Sequence, residues 1–173
     1  MILNKYNISL ELLTLTNLEK LRTWRNSSVV NTYMEFKEKI SEQQQMDWFK
    51  KIDPKKELYF IIKQANEAIG MTHLKNIDVD LKCCEVGLFI GEEKYMGSGI
   101  SFGASLLILD VAFLKLKLNE VHAKVHNLNK NAIVYNSFLG FEKYSSLNSD
   151  FSQWKLTFET YKNTKLKVAK HII

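Results

Sequence analysis

The sequence predicts a mixed α/β fold (α+β in the looser sense), with strands and helices alternating around one sheet, and three features predict it. Short apolar runs with two-residue alternation recur along the chain. Helix-start signals precede stretches whose apolar residues repeat at helical spacing. Residues 99–116 are apolar around nearly the whole circumference, as in a helix buried against a sheet. A length of 173 residues suits one domain spanning 1–173. With 46% apolar and 25% charged residues, the composition is not that of a disordered chain. One proline and seven glycines leave little punctuation for a domain boundary.

Taken in order, Ile8-Ser9-Leu10-Glu11-Leu12 alternates as a first strand. Thr16-x-x-Glu19 reads as a capping box that opens a helix through Leu18, Leu21 and Trp24, ending near Arg25-Asn26. A short helical turn is expected around residues 28–33. Ser41-x-x-Gln44 repeats the capping chemistry before Gln45, Trp48, Phe49 and Ile52, an i, i+3, i+4, i+7 stripe that Asp53-Pro54 stops. Residues 58–63 and 68–74 flank Gln64-Ala65-Asn66-Glu67 and form a hairpin. Strands are expected over 84–90, 119–126, 141–145 and 154–161, with helices over 99–116 and 131–139.

Several function classes are disfavoured. The chain opens Met1-Ile2-Leu3-Asn4-Lys5 without a charged leader and long apolar stretch, and it has no apolar run near 18 residues. No membrane partner is expected, and a cytoplasmic location is. Cys83 and Cys84 are adjacent, a poor arrangement for a disulfide and a poor zinc signature, so a reducing compartment and no metal are expected. The net charge of +5 comes from dispersed lysines and suits small anionic ligands as readily as nucleic acid. Lys162, Lys165, Lys167 and Lys170 make the densest basic stretch; without interleaved aromatics it reads as a solvated end, and no nucleic-acid partner is expected.

The informative segment runs from Glu85 to Ile100: a strand, the loop Lys94-Tyr95-Met96-Gly97-Ser98-Gly99, then the central helix. Physically it is an anion cradle. Gly97 and Gly99 let the backbone approach a pyrophosphate, the unpaired amides of the first helical turn point at it, and the helix dipole favours its charge. A glycine pair that merely starts a helix is the competing reading, and the flanking residues decide against it.

Lys94-x-x-Gly97-x-Gly99 resembles the Gln/Arg-x-x-Gly-x-Gly/Ala signature of the GNAT superfamily of acetyl-CoA-dependent N-acetyltransferases, with Lys at the first position. A second family mark, Asn-x-x-Ala followed by Leu-Gly-Phe, stands as Asn129, Ala132 and Leu139-Gly140-Phe141. The resemblance implies a twisted mixed sheet of about six to seven strands, helices on both faces, and a splayed V-shaped cleft for the co-substrate acetyl-CoA. It further implies that Leu88, Phe89 and Ile90 pair with pantetheine, that Lys94 to Ile100 hold the pyrophosphate, and that Asn129 and Asn136 line the other wall. A homodimer is common for such folds.

For the base the resemblance points to Glu85, with His73 on the preceding strand as second candidate because imidazole titrates near neutrality. An edge carboxylate in solvent or a hydrogen-bonded strand anchor, and a packed histidine, are the competing readings. His122 and His126 alternate onto one face of their strand and could border the cleft, with packed residues again the competing reading. The family's usual general acid, a tyrosine four residues before the glycine of Leu-Gly-Phe, is replaced by Asn136. Either Tyr135 takes the role by a local shift, or Asn136 bonds the sulfur or pantetheine while solvent protonates the thiolate.

Trp24-Arg25-Asn26, Met34, Ile40-Ser41, Trp48-Phe49, Gly70 and Ile77-Asp78 look most like the branch that acetylates nucleotide-linked amino sugars, and next like ribosomal-protein N-terminal acetyltransferases. Gln45 stands where that first branch often has histidine. In this reading the acceptor is a small-molecule amine. Arg25 meets a diphosphate, Trp24 or Trp48 stacks on a ring, Asn26 bonds hydroxyls and Met34 lines the site. Trp48 on a helical stripe also fits a core residue. A non-catalytic acyl-CoA-binding protein is the third possibility.

Overall fold

The computed structural model describes residues 2–170 and 172. Eight strands form one sheet: β1 (Ile2–Lys5), β2 (Ile8–Leu12), β3 (Leu58–Gln64), β4 (Glu67–Asp78), β5 (Cys83–Ile90), β6 (Glu120–His126), β7 (Glu142–Ser146) and β8 (Phe151–Thr157). The helices are α1 (Leu18–Asn26), α2 (Ser28–Asn31), α3 (Glu42–Lys50), α4 (Ile100–Asp110), α5 (Lys130–Leu139) and α6 (Phe158–Ala169). The sheet order is β1-β2-β3-β4-β5-β6-β8-β7. Every pairing is antiparallel except β5 with β6, which the α4 crossover joins in parallel.

That parallel pairing is short. Cys83 faces Glu120, Cys84 faces Val121 and Glu85 faces His122, after which β5 runs on to Ile90 and β6 to His126 without pairing to each other. The two strands part there and leave a V-shaped opening. Behind it lies α4, buried from Gly103 to Leu109 and continued by a π-helical turn, Val111–Lys115.

Alternation sends Phe60, Ile62 and Leu74 to the α4 and α6 side of the sheet, and Tyr59, Ile61 and Met71 to the α1 and α3 side. Residues directly opposite one another share a face. The register therefore places His73, Gly87, Glu85 and His122 on the α1 and α3 side together with Tyr59.

Four expectations change. The strand expected over 154–161 ends at Thr157, whose hydroxyl accepts the Thr160 amide at 3.2 Å and starts α6. The expected solvated tail is this helix, anchored where the Tyr161 hydroxyl and Lys165 ammonium both meet the Asp110 carboxylate. An edge strand, β1, precedes the first expected one through a turn in which Tyr6 and Asn7 both have positive φ, so the sheet has eight strands rather than six to seven. The cap before α1 is Thr14 with Asn17, joined at 2.9 Å, while Glu19 pairs with Arg22 instead. The capping box at Ser41 and Gln44 forms as the sequence indicates, with 2.8 and 3.2 Å bonds.

The β3–β4 hairpin turns through Ala65 and Asn66 at φ of 47° and 68°. Both central residues are left-handed, as a two-residue hairpin demands, and alanine is the poorly suited one. Ala65→Gly is expected to raise the unfolding free energy by about 1 kcal/mol, measured by urea denaturation.

Candidate active site

The loop after β5 folds through a 3-10 turn, Glu93–Tyr95, into Gly97 and Gly99, whose φ values are 74° and 79°. A Cβ at either glycine would meet no protein atom within 4 Å, so both face open space. Gly99 is the N-cap of α4 and offers no side chain to the first turn; the Phe102 amide bonds the Gly99 carbonyl at 3.0 Å, which leaves the amides of Ile100 and Ser101 to a ligand. Lys94, Tyr95 and Ser98 fix the loop's shape. Lys94 Nζ and the Tyr95 hydroxyl each bond Glu67 Oε2 at 2.8 Å, and Ser98 Oγ donates to the Tyr95 carbonyl at 2.6 Å. These bonds hold the Glu67 carboxyl below its usual range, Lys94 first and Tyr95 second. Met96 projects outward and Ile100 is buried in the core. A depression of about 790 Å³ adjoins the loop on the α1 side, lined by Lys20, Thr23, Trp24, Gly91, Glu92 and Lys94.

Along β5 the Gly91 amide bonds the Ile69 carbonyl of β4 at 2.8 Å. Strand alternation then turns the Phe89 main chain to β4 as well and aims the amides of Leu88 and Ile90 into the opening between β5 and β6. Phe89 itself packs edge-on against Trp24 at 6.3 Å.

On the opposite wall Asn129 caps α5, its Oδ1 accepting the Ala132 amide at 3.0 Å. Asn136 lies two turns on and donates from Nδ2 to the Ala132 carbonyl at 2.8 Å. Tyr135 turns elsewhere: its hydroxyl bonds the Ser101 carbonyl at 2.8 Å and Ser105 Oγ at 2.7 Å, and its ring stacks on Phe102 at 4.6 Å. Burial pushes the phenol up to about 12. Tyr135 thus braces the first turn of α4 from behind and is not placed to give a proton in the opening.

On the α1 and α3 side, His73 lies flat beneath Gly87, where a Cβ would come within 2.3 Å of its Cε1. Its Nδ1 is buried without a hydrogen-bond partner. Burial first, then Lys75 and Arg25, push it down to about 3, which favours the neutral imidazole, although the residue as a whole is only partly buried. Glu85 Oε1 sits 3.5 Å from Lys75 Nζ. The Tyr59 hydroxyl donates to Glu57 Oε2 at 3.1 Å, and burial leads the causes that raise it.

The residues expected to hold an acceptor divide. Trp24 is core: its ring covers Gly91 and its indole N–H donates to Glu92 Oε1 at 3.0 Å. Asn26 ties the end of α1 to Ile40, giving 2.9 Å and receiving 2.8 Å bonds from its backbone. Met34 packs on the same cluster, and Trp48 stands edge-on to Tyr59 at 4.9 Å. Arg25 differs. Its Nε is buried with no acceptor, and among the described residues its guanidinium makes no hydrogen bond or ion pair. Burial lowers its pKa, the sign of a cation short of compensation.

Tyr59 and Gly87 carry no local signal as site residues, because only the register reveals that they share one face with His122, which the sequence places at the border of the cleft. Among the described residues no group of three or more His, Cys, Asp or Glu is placed to hold a metal, and no helix is long and apolar enough to cross a membrane.

A glycine cradle at a helix start, opening into a cleft between two parting strands with free amides, defines a protein built to hold an extended phosphate-bearing ligand. The chain belongs to the GNAT acetyltransferase family: the sequence profile described as "Acetyltransferase (GNAT) domain" matches residues 7–142. The uncharacterized N-acetyltransferase p20 of Bacillus licheniformis is 31% identical over 83 residues, which span 48% of this chain and 46% of that protein. The match therefore covers about half of the curated relative. Among solved structures, spermidine N-acetyltransferase from Vibrio cholerae in complex with CoA and spermine has a TM-score of 0.83 at 20% identity, covering 92% of this chain and all of that one. Apo FdhC, described as a nucleotide-linked sugar GNAT, has a TM-score of 0.82 at 22% identity, covering 100% of this chain and 99% of that one. At these identities the two structures speak to the fold.

Gly99→Val would add a β-branched side chain where φ is positive and the space is open. It is expected to weaken acetyl-CoA binding by at least about tenfold in calorimetry while the circular dichroism spectrum stays unchanged.

Proposed function

We propose that the chain is an acetyl-CoA-dependent N-acetyltransferase acting on a primary amine, and that the amine belongs to a nucleotide-linked amino sugar. Family membership, the open glycine cradle and the free amides of β5 support the first part. When bound, the co-substrate supplies an acetyl group activated as a thioester. The first-turn amides of α4 take its pyrophosphate, and the amides of Leu88 and Ile90 take the pantetheine arm and the thioester oxygen. Asn136 offers its amide to the pantetheine from the other wall.

One observation carries the choice of acceptor. Among the described residues Arg25 is a cation on the acceptor side with no paired anion, whereas the carboxylates Glu85, Glu35 and Glu120 each have a basic partner and Glu57 accepts from Tyr59. A half-buried guanidinium without an anion favours a ligand that brings one, such as the diphosphate of a sugar nucleotide, over a polycation such as spermidine. Ribosomal N-terminal acetylation and acyl-CoA binding without turnover are the alternatives. The adjacent free thiols of Cys83 and Cys84 fit a cytoplasmic setting.

The deciding experiment follows CoASH release from acetyl-CoA with UDP- and dTDP-linked 3-amino and 4-amino sugars, spermidine and ribosomal N-terminal peptides. Turnover confined to the sugar nucleotides is expected, and none across that group rejects the acceptor assignment. In the same assay Arg25→Gln is expected to raise KM for the sugar nucleotide about tenfold or more, with KM for acetyl-CoA unchanged.

A further inference from the structure

Of the residues expected to exchange protons, His73 has its Nδ1 buried beneath Gly87, Tyr135 bonds Ser101 and Ser105, and Glu85 lies 3.5 Å from Lys75 Nζ. A different group stands at the required place. His122 is the Cα partner of Glu85 on the last rung of the β5–β6 pairing, where the cleft begins. It shares the sheet face of Glu85 and Gly87, and its side chain is 26% exposed.

The ring is also oriented. The Tyr144 hydroxyl lies 3.2 Å from Gln153 Oε1 and 3.1 Å from His122 Nδ1; when it donates to Gln153, its oxygen accepts from His122 Nδ1–H. Fixing the proton on Nδ1 leaves the lone pair on Nε2. Glu120 Oε2 lies 3.6 Å from Nε2, in position to stabilise the imidazolium once it forms. Tyr144 packs edge-on against the imidazole at 5.6 Å, with Lys155 over its own ring. The charged and titratable groups facing His122 are Glu85 and Cys83 on β5, Glu120 and Lys124 on its own strand, Tyr144 on β7 and Lys155 on β8, with Lys75 beyond Glu85 and Glu35 on Lys124.

We propose that His122 is a catalytic residue, receiving through Nε2 the proton that the acceptor ammonium must lose, and that Tyr144 is a positioning residue holding the ring in the receptive tautomer. The step balances. One proton of the ammonium goes to Nε2 and from there to solvent. The freed nitrogen forms the C–N bond to the acetyl carbonyl as the C–S bond breaks, the departing thiolate takes a second proton from that nitrogen, and the amide keeps the third. The inference holds for any amine acceptor and does not depend on the sugar assignment.

The test has an arm without an acceptor. Modification of His122 by diethyl pyrocarbonate, mapped by mass spectrometry, is expected to slow several-fold with acetyl-CoA but not with adenosine bisphosphate, which fills only the phosphate end. Equal rates with and without acetyl-CoA overturn the proposal, even where no amine of the panel is turned over. With the fastest amine, His122→Gln is expected to lower kcat by about 10²–10⁴-fold near neutral pH. Acetyl-CoA affinity by calorimetry should be unchanged, and the deficit should shrink as pH rises and the amine arrives deprotonated. Tyr144→Phe is expected to cost less and to displace the acid limb of the pH profile. Wild-type kcat in a folded His122→Gln protein, or an acid limb that vanishes in Glu85→Gln but not in His122→Gln, would refute the role.

Discussion

Three rungs of parallel pairing between β5 and β6 set the conditions for the rest of the molecule. Because pairing stops at Glu85 and His122 while both strands continue, the edge of β5 keeps unspent hydrogen-bonding groups facing a gap. In a packed interior such groups would be costly. In a cleft open to solvent they can be satisfied by water or by a ligand that takes the missing strand's place. The α4 crossover that joins the parallel strands also carries its N-terminus to the wide end of the same gap, so the cradle and the free edge line up from one topological event.

The two sides of the sheet divide the labour. The α4 and α6 side is closed by large apolar residues and by a short polar anchor, Tyr161 and Lys165 on Asp110. The α1 and α3 side is thinner and retains polar groups: Arg25, Tyr59, His73, Glu85 and His122 stand on or over neighbouring strands. His73 packs under Gly87, and the absence of a side chain at 87 is what lets the imidazole lie there.

Local signals in the sequence were legible where one residue type answers one backbone need. Gly97 and Gly99 marked the cradle because left-handed φ at a helix start calls for glycine. Ser41 and Gln44 marked the start of α3 because their side chains reach each other's backbone. The end of β8 was hidden because Trp154 and Leu156 alternate into Phe158, while the helical spacing of Phe158, Tyr161 and Val168 is interrupted by lysines. Side-chain roles were legible only in part. Trp24 and Asn26 read as ligand contacts from their types, yet the fold uses their polar atoms on Glu92 and Ile40. Alternation put His122 on a face that could border the cleft, but its place opposite Glu85 came only from the strand register, which no local pattern encodes.

The bonds from Glu67 to Lys94 and Tyr95 have an evolutionary implication. Glu67 is the first residue of β4, directly after the turn at Ala65 and Asn66, so the loop that receives phosphates takes its shape from a hairpin far away in the chain. Sequence drift in that hairpin is thereby felt as altered ligand affinity without any contact to the ligand. In this chain a change at that surface turn can therefore alter how tightly the loop retains a phosphate-bearing ligand while the glycine loop itself stays untouched.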